Sequence, residues 1–165
     1  MSSGVEWALH CYLVLAWTPG RQPVQVSDLA AAYDLPQAYL TKHLQALVRA
    51  GLLRSTPGPR GGYSLQKPPE ETSVLEVVQA VEGDGEMFRC ADIRLRGPLA
   101  PAPCGERGDR AMCLVHKAMW EAERAWRDTL AGQSMAELAA QVAGGVPGLL
   151  GRAGDWLAER QRQRS

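Results

Sequence analysis

An acidic and a basic side chain interrupt the apolar N-terminal segment. Glu6 and His10 are the only acidic or basic residues between Val5 and Trp17. Their i, i+4 spacing places both on one face of a predicted helix. A carboxylate buried on such a helix costs on the order of several kcal/mol unless it is paired or bound to a metal. The pair therefore predicts either a metal site or hydrogen bonds, between the two side chains or to a backbone group across a dimer.

Four cysteines are a second source of chemistry. Cys11 lies in the apolar helix and is predicted to be a small core residue, whereas Cys90, Cys104 and Cys113 lie in or beside a segment rich in Gly and Pro.

No apolar run reaches the roughly 20 residues of a membrane span, and no Lys or Arg precedes the first apolar run as in a signal peptide. We therefore expect a cytoplasmic protein without a membrane partner. In that compartment thiols are metal ligands or reactive groups before they are structural disulfides.

Positive charge gathers in one stretch of a neutral chain. The 165 residues include 18 basic and 18 acidic side chains, which excludes a protein steered by bulk basicity. Between Leu35 and Pro69 there is no Asp or Glu, and the stretch holds His43 and five cations, Lys42, Arg49, Arg54, Arg60 and Lys67. A local basic face of this kind is what neutralisation of DNA phosphates needs.

Polar side chains are predicted on the exposed side of the helix within this stretch. They combine charge with hydrogen-bonding groups that can reach base edges in the major groove, and they are Gln37, Tyr39, Thr41, Lys42 and Gln45. Arg60 lies beside glycines at the tip of a predicted hairpin, where it could reach a minor groove. These residues leave two alternatives open, a solvated helix face and a winged helix that binds protein.

The elements that carry these residues can be predicted from apolar spacing and from Pro and Gly breaks. Helices are expected over about 5–17, 27–34, 36–50 and 73–81, and a hairpin over about 52–66. Three helices followed by a hairpin predict a mainly α fold, the winged helix-turn-helix, whose third helix enters the major groove. We expect a DNA-binding domain over 1–83, a cysteine loop over 84–110, a long helix over 111–132 and a helical extension over 133–165, for which partial disorder stays open.

Two motifs resemble a known family. The stretch GPRGGYSL, from Gly58 to Leu65, is followed by PPEE and VVQAVEG. Together with the helix-turn-helix sequence DLAAAYDLPQAYLTKHLQALVRAGLLRS, it resembles the IscR/NsrR/RsrR-type family of iron–sulfur winged-helix regulators. The resemblance is close over about residues 4–83 and looser from Cys90 to about Leu130. It implies a homodimer joined by the long helix, bound to an inverted repeat in double-stranded DNA, with a cluster that sets DNA affinity.

The resemblance also implies a set of cluster ligands. The last three cysteines resemble the family's cluster cysteines, but 13 and 8 residues separate them, which is wider than the family's short spacing. The Glu–His pair looks like the RsrR-type variant, so the implied ligands are Glu6 and His10 from one subunit with Cys104 and Cys113 from the other. Such donors favour [2Fe–2S] over [4Fe–4S]. Two alternatives stay open: Cys90 replaces a helix-one ligand, or one chain supplies Cys90, Cys104, Cys113 and His116.

The predicted function is a transcriptional regulator whose operator affinity follows the redox state or the presence of an iron–sulfur cluster. Trp7, beside Glu6 and three residues before His10, is a candidate to relay a change at the cluster to the DNA-binding domain, and a core tryptophan is the alternative. A cluster-free regulator that uses reversible cysteine oxidation is the competing function. An enzyme is not expected, because the sequence shows no nucleophile–base pairing and no phosphate-binding loop.

Overall fold

The computed structural model describes residues 2–98, 100 and 113–163. In these ranges the chain is mainly helical with one small β-hairpin, as predicted. The helices are α1 Ser3–Trp17, α2 Val26–Ala32, α3 Gln37–Arg49, α4 Val74–Glu82, α5 Leu114–Ala131, α6 Met135–Gly145 and α7 Leu149–Arg162. The antiparallel strands are β1 Leu53–Thr56 and β2 Gly62–Leu65. None of the helices described combines the length and the apolar character that a bilayer crossing requires.

The chain folds into two compact units. The described parts of Met1–Asp84 and Leu130–Ser165 form the first, which we call the frame unit. The described parts of Gly85–Thr129 form the second, which we call the cysteine unit. The C-terminal segment is helical as far as Arg162 and shares a unit with the N-terminal helices.

Helix α1 is the centre of the frame unit. It contacts α3, α4, α6 and α7 as well as β2, which explains why its sequence is apolar on nearly every side. Cys11 and Tyr12 of α1 are fully buried, as are Leu40, Leu44 and Leu47 of α3. The i, i+4, i+7 spacing of these leucines turns one face of α3 into the core and leaves the opposite face exposed.

The hairpin is fixed to the helices by a third extended segment. Val24 and Tyr63 exchange two backbone hydrogen bonds of 2.9 and 2.8 Å, which continue the β1–β2 ladder across the chain. Gly62 has a φ of +140°, and a Cβ there would collide with the Val24 carbonyl. Only glycine fits this position, so the glycines at the tip of the hairpin have a structural role.

Two capping boxes lie side by side at the starts of α4 and α6. The hydroxyl of Ser73 accepts from the Glu76 N–H, and the Ser134 hydroxyl accepts from the Glu137 N–H. The Val74 N–H donates to the Gln133 carbonyl at 2.9 Å, so the two helix starts are bonded to each other. Each box satisfies orphan donors of the first turn and thereby fixes where its helix begins.

Candidate functional site

The outer face of α3 presents polar side chains to solvent. Gln37 and Lys42 are exposed, and Tyr39 is 65% exposed although it is a large aromatic residue. The buried leucines of the same helix hold this face in place. A tyrosine this exposed on a rigid helix is suited to contact a macromolecular partner, and its place in a DNA-reading surface stays a prediction.

Two other residues predicted on this face have partners within the chain. The Gln45 amide nitrogen donates to the Tyr63 hydroxyl at 2.9 Å, so this half-buried side chain connects α3 to the hairpin. The Thr41 hydroxyl donates to the Gln37 carbonyl at 2.8 Å, one turn earlier. Gln45 therefore sets the distance between helix and hairpin, and base reading by Gln45 and Thr41 stays a prediction.

The cations of the acid-free stretch fall into two groups. Lys42, Arg49 and Arg60 are exposed, and Arg60 lies in the loop at the tip of the hairpin. Lys67 instead forms an ion pair with Glu76 at 3.0 Å. Arg54 donates to the Gln66 side chain at 2.9 Å, across the two ends of the hairpin. Arg54 is exposed as well, and neutral Gln66 leaves its charge in place, so the outward charge comes from α3, the first strand of the hairpin and the hairpin tip.

Glu6 and His10 lie one turn apart on the exposed surface of α1. In the part of the chain that the structure describes, neither side chain has a hydrogen bond or an ion pair. The His10 ring packs against the Tyr33 ring of the α2 C-terminus, with centroids 5.2 Å apart. Burial raises the pKa of Tyr33 to about 12, which keeps this neighbour neutral. The pair thus presents an oxygen and a nitrogen donor outward from the frame unit.

Trp7 connects this pair to α3. Its ring makes an edge-on contact with the ring of His43 on α3, with centroids 6.0 Å apart. The same His43 ring covers Gly4, where a Cβ would collide with it. Trp7 is half-buried, so it has the contacts of a core residue on one side and access to solvent on the other.

In the cysteine unit, Cys90 and Cys113 lie together. The Cys90 side chain lies within hydrogen-bonding reach of the Cys113 sulfur, although 22 residues separate them in sequence. Hydrogen bonds from the backbone N–H groups of His116 and Val115 lower the pKa of Cys113, with smaller contributions from Cys90 and Arg94. The Cys90 thiol also donates to the Asp92 carboxylate at 3.7 Å. Cys11, by contrast, is buried, and burial raises its pKa to about 12.

His116 follows on the first turn of α5. Its ring packs against Phe88, with centroids 6.1 Å apart, and its Nδ1 atom is buried without a hydrogen-bond partner among the described residues. Within those residues, no three His, Cys, Asp or Glu side chains form a group that could hold a metal ion. Cys104 lies outside the described residues. A complete ligand set therefore needs donors beyond those that the described part of one chain brings together.

Helix α5 carries an apolar surface and a polar clamp. Leu114, Val115, Met119 and Trp120 are between 43% and 80% exposed.

The same helix carries a group of hydrogen bonds around Glu123 that we call the polar clamp. Glu123 is buried, accepts from the Met87 N–H at 2.9 Å and pairs with Arg127 at 2.8 Å. The bond from Arg127 lowers the pKa of Glu123, so the carboxylate is ionised near neutral pH. This clamp fixes the start of the loop that carries Cys90.

Sequence reasoning missed Tyr33 and His43 as neighbours of the α1 residues. Both contacts join residues that are more than 20 positions apart, and they arise only when α1 packs against α2 and α3. Two signals were present: a histidine inside the acid-free stretch, and Gly4 at the position that the His43 ring covers.

The sequence matches a family of regulators over most of its length. The model of the Rrf2 family, described as an iron-dependent transcriptional regulator, matches residues 1–141. The chain belongs to the Rrf2 family. Membership establishes a winged-helix transcriptional regulator rather than an enzyme, with DNA binding as its general function.

Relatives of this Rrf2 protein agree with the assignment. A Lactococcus lactis protein, YffB, described as an HTH-type transcriptional regulator, is 34% identical over 139 residues, 84% of this chain and 86% of its own. The HTH-type transcriptional regulator NsrR of Shouchella clausii is 32% identical over 119 residues, 72% of this chain and 76% of its own. The crystal structure of oxidized Staphylococcus aureus CymR is 27% identical with a TM-score of 0.59, covering 84% and 94% of the two chains.

The Rrf2 match ends before the last helix. Residues 142–165 lie beyond the family model, and α7 occupies most of them. Helix α7 contacts α1, so it packs within the frame unit although it lies beyond the matched range.

Proposed function

We propose that this Rrf2 protein is a dimeric regulator that binds an inverted repeat in double-stranded DNA and changes its operator affinity with the redox state or presence of an iron–sulfur cluster. The observation that carries the proposal is the contact of Trp7 with His43. Trp7 stands between two outward-facing donor residues on α1 and touches the helix that carries the exposed DNA-reading face. A structural change at those donors can therefore reach the DNA interface through one side-chain contact.

The residues of the chain fit a [2Fe–2S] cluster shared between two subunits. Glu6 and His10 face outward without side-chain hydrogen bonds among the described residues, which suits ligands that serve a second chain. Cys113 is held by helix N–H groups that stabilise a thiolate. With Cys104 they supply two thiolates, an imidazole and a carboxylate. A [2Fe–2S] cluster bound there supplies a one-electron change of charge, and [4Fe–4S] is the alternative.

The competing ligands have structural support of their own. Cys90 already contacts Cys113, and the buried Nδ1 atom of His116 lacks a partner among the described residues. The one-chain set of Cys90, Cys104, Cys113 and His116 therefore stays the alternative to Glu6, His10, Cys104 and Cys113. Single substitutions distinguish the two sets, because Glu6 and His10 belong only to one, and Cys90 and His116 only to the other.

The dimer is proposed to form through α5. Its exposed Val115 and Met119 lie one turn apart, and Trp120 widens the apolar surface. Exposed apolar side chains grouped on a helix mark an interaction site, and a two-fold axis presents the same surface on both partners. Two recognition helices related by such an axis would read half-sites about one helical turn apart.

Trp7 is proposed to relay the state of the cluster to α3. If so, Trp7→Ala keeps normal cluster loading but loses the difference in DNA affinity between oxidised and reduced protein. If Trp7 is only a core residue, the variant loses stability and keeps that difference. Iron content and affinities in both states, measured side by side, separate the two roles.

The DNA-binding half of the proposal can be tested on an operator selected by the wild-type protein from random duplexes. Arg60→Ala and Lys42→Gln remove exposed cations from the hairpin tip and α3, and each should weaken binding about fivefold to tenfold at physiological salt. Arg162→Gln, in α7, is the matched control and should bind like the wild type. Wild-type affinity for both test variants at matched salt would contradict the proposed interface.

A cluster-free regulator that uses cysteine oxidation is the second candidate. The contact between Cys90 and Cys113 favours it, and the similar CymR structure is described as an oxidized form. Protein that is colourless after anaerobic purification, yet changes its DNA affinity with peroxide, would identify this function.

A further inference from the structure

The frame unit contains a pocket with a cavity volume of about 260 Å³, lined by the ends of α1 and α2 and by one face of α7. Trp17 of α1, Tyr33 at the C-terminal cap of α2 and Trp156 of α7 contribute three aromatic side chains to its lining. Arg152 is the one charged residue of the described lining, and the remaining side chains are apolar. Aromatic and apolar walls with one placed charge are the usual composition of a small-molecule site.

The size and the walls of this pocket select a small aromatic ligand. Its volume is below the roughly 300–1,000 Å³ of pockets for drug-sized molecules, so it suits a molecule of one or two rings. Trp17 and Trp156 are only half-buried, which leaves aromatic surface free to contact such rings. The Arg160 guanidinium lies over the Trp156 ring, 5.2 Å from its centroid, and restricts the orientation of that ring.

The charge of the pocket selects an anion. One guanidinium nitrogen of Arg152 donates to the Pro147 carbonyl at 2.9 Å, which fixes the end of this exposed side chain. Among the described residues, no carboxylate forms an ion pair with Arg152. A guanidinium has five N–H donors in a planar fork, so Arg152 keeps donors for the carboxylate of a ligand.

We propose that this pocket is an effector site for a small aromatic carboxylate. The ring of the ligand contacts the three aromatic side chains of the lining, and its carboxylate accepts hydrogen bonds from Arg152. The site goes beyond the proposed cluster function, because its residues bind the ligand without a metal. One of its walls also comes from α7, beyond the range that the Rrf2 family model matches.

The location of the pocket connects it to DNA binding. Helix α2 ends at the pocket and packs against α3, whose exposed face is proposed to read DNA. The Tyr33 ring also contacts the ring of His10, a proposed cluster ligand. A molecule that contacts both α7 and the end of α2 therefore restrains α2, and a state of α2 that binds the ligand better is favoured together with its position of α3.

Binding is tested by isothermal titration calorimetry on the full-length protein as purified, without DNA. The probes are indole-3-acetate, its neutral counterpart indole-3-acetamide, and acetate, which has the charge without the rings. We expect a dissociation constant of about 0.1–1 mM for indole-3-acetate, at least threefold weaker binding of the amide and no measurable binding of acetate.

Two variants test the two parts of the site. Arg152→Gln should weaken binding of indole-3-acetate about threefold to tenfold and change binding of the amide by less than twofold. Arg162→Gln, which removes an exposed arginine outside the lining from the same helix, is the matched control and should bind both probes like the wild type. Trp156→Ala should weaken both indole probes at least fivefold, and thermal unfolding checks that this half-buried position tolerates the change.

The place and the effect of binding have separate measurements. In NMR spectra the indole N–H signals of Trp17 and Trp156 should shift more than that of Trp126, which lies in the cysteine unit. Saturating indole-3-acetate should change the affinity for the selected operator at least about fivefold. In Arg152→Gln the ligand concentration at half of this change should rise in parallel with the dissociation constant.

The effector role rests on the proposed DNA-reading face, whereas binding of the ligand does not. Operator binding without ligand tests that face, and calorimetry without DNA tests the pocket, so the two failures are distinguishable. Three results would overturn the proposal: no binding of indole-3-acetate at millimolar concentration, an equal loss of both indole probes in Arg152→Gln, and binding that leaves the operator affinity of the wild type unchanged.

Discussion

The frame unit and the cysteine unit are built in different ways. The frame unit has a continuous apolar core in which side chains of α1, α3 and α4 are almost completely buried. Among the described residues of the cysteine unit only Glu123 is buried, and that residue is charged. The frame unit is therefore held by apolar burial, whereas the cysteine unit is held by a polar clamp and exposes its apolar side chains.

This difference places the rigid support and the accessible thiols in separate parts of the chain. The proposed DNA-reading face of α3 needs a rigid support, and the buried leucines of that helix provide it. Thiols that exchange ligands or bonds need access, which a segment with few buried contacts provides. The exposed apolar surface of α5 fits the same logic, since a second subunit can supply the burial that one cysteine unit lacks.

Removing a core side chain from the frame unit should have the largest effect. Leu44 is fully buried on α3, so Leu44→Ala should lower the free energy of unfolding by about 2–5 kcal/mol. Ile93 in the cysteine unit is 74% exposed, and Ile93→Ala should change the free energy of unfolding by less than about 0.5 kcal/mol. Chemical denaturation of both variants measures the contrast, and equal losses would show that the two units do not differ as described.

A charge on the apolar surface of α5 should break the dimer and spare the fold. Met119→Arg would bury an unpaired guanidinium in the proposed interface, and we expect the dimer dissociation constant to rise at least tenfold. Glu121→Arg introduces the same charge on the opposite side of α5 and should leave the dimer intact. Sedimentation equilibrium measures both constants, and a dimer unaffected by Met119→Arg would exclude this surface.

Removing the Glu123 carboxylate of the polar clamp should increase local opening in the cysteine unit alone. Glu123→Ala removes the carboxylate that accepts from the Met87 N–H and leaves Arg127 only its bond to the Gly85 carbonyl among those described, so amide exchange over residues 85–90 should accelerate about tenfold. Exchange in α3 should not change. Asp128→Ala, which removes an exposed ion pair with Arg124, is the control. Faster exchange throughout the frame unit would show that the clamp supports the whole chain.

The smallest effect concerns acid stability of the frame unit. Burial acts to raise the pKa of Glu76, but bonds from Ser73 and Lys67 outweigh it and lower that pKa below its ordinary value of 4.5. The stabilisation is present above 4.5 and is lost as the pH falls through the lowered value. Glu76→Gln keeps a capping side chain. Between pH 5 and pH 3 the free energy of unfolding should therefore fall less in this variant than in the wild type, by about a few tenths of a kcal/mol. Identical acid unfolding curves would contradict this.

Local patterns predicted the frame unit well. The leucine spacing of α3 and the glycines of the hairpin each fix a geometry within a few residues, so the winged helix followed from the sequence. The continuous helix α7 was left open, because Gly151 and Gly154 weaken its helical propensity and the contact of α7 with α1 supplies the missing stability.

The site was less predictable, because its contacts are distant in sequence. Spacing singled out Glu6 and His10, but it gave no sign of the Trp7–His43 contact that depends on the packing of α1 on α3. Likewise, Cys90 and Cys113 meet across a long Gly- and Pro-rich loop whose path no periodicity specifies. The Gln45–Tyr63 hydrogen bond shows the same limit, since a helix pattern does not reveal which polar side chain the hairpin will engage.

The central claim is that Glu6 and His10 hold a cluster together with Cys104 and Cys113. The most direct test is the visible absorbance with iron and sulfide counts of anaerobically purified protein, beside Glu6→Ala, His10→Ala and Cys90→Ala variants. We predict about two irons and two sulfides per wild-type chain, full colour in Cys90→Ala and loss of colour in both helix-one variants. Bleaching of Cys90→Ala, with colour retained in Glu6→Ala and His10→Ala, would contradict this account and assign the cluster to the one-chain set.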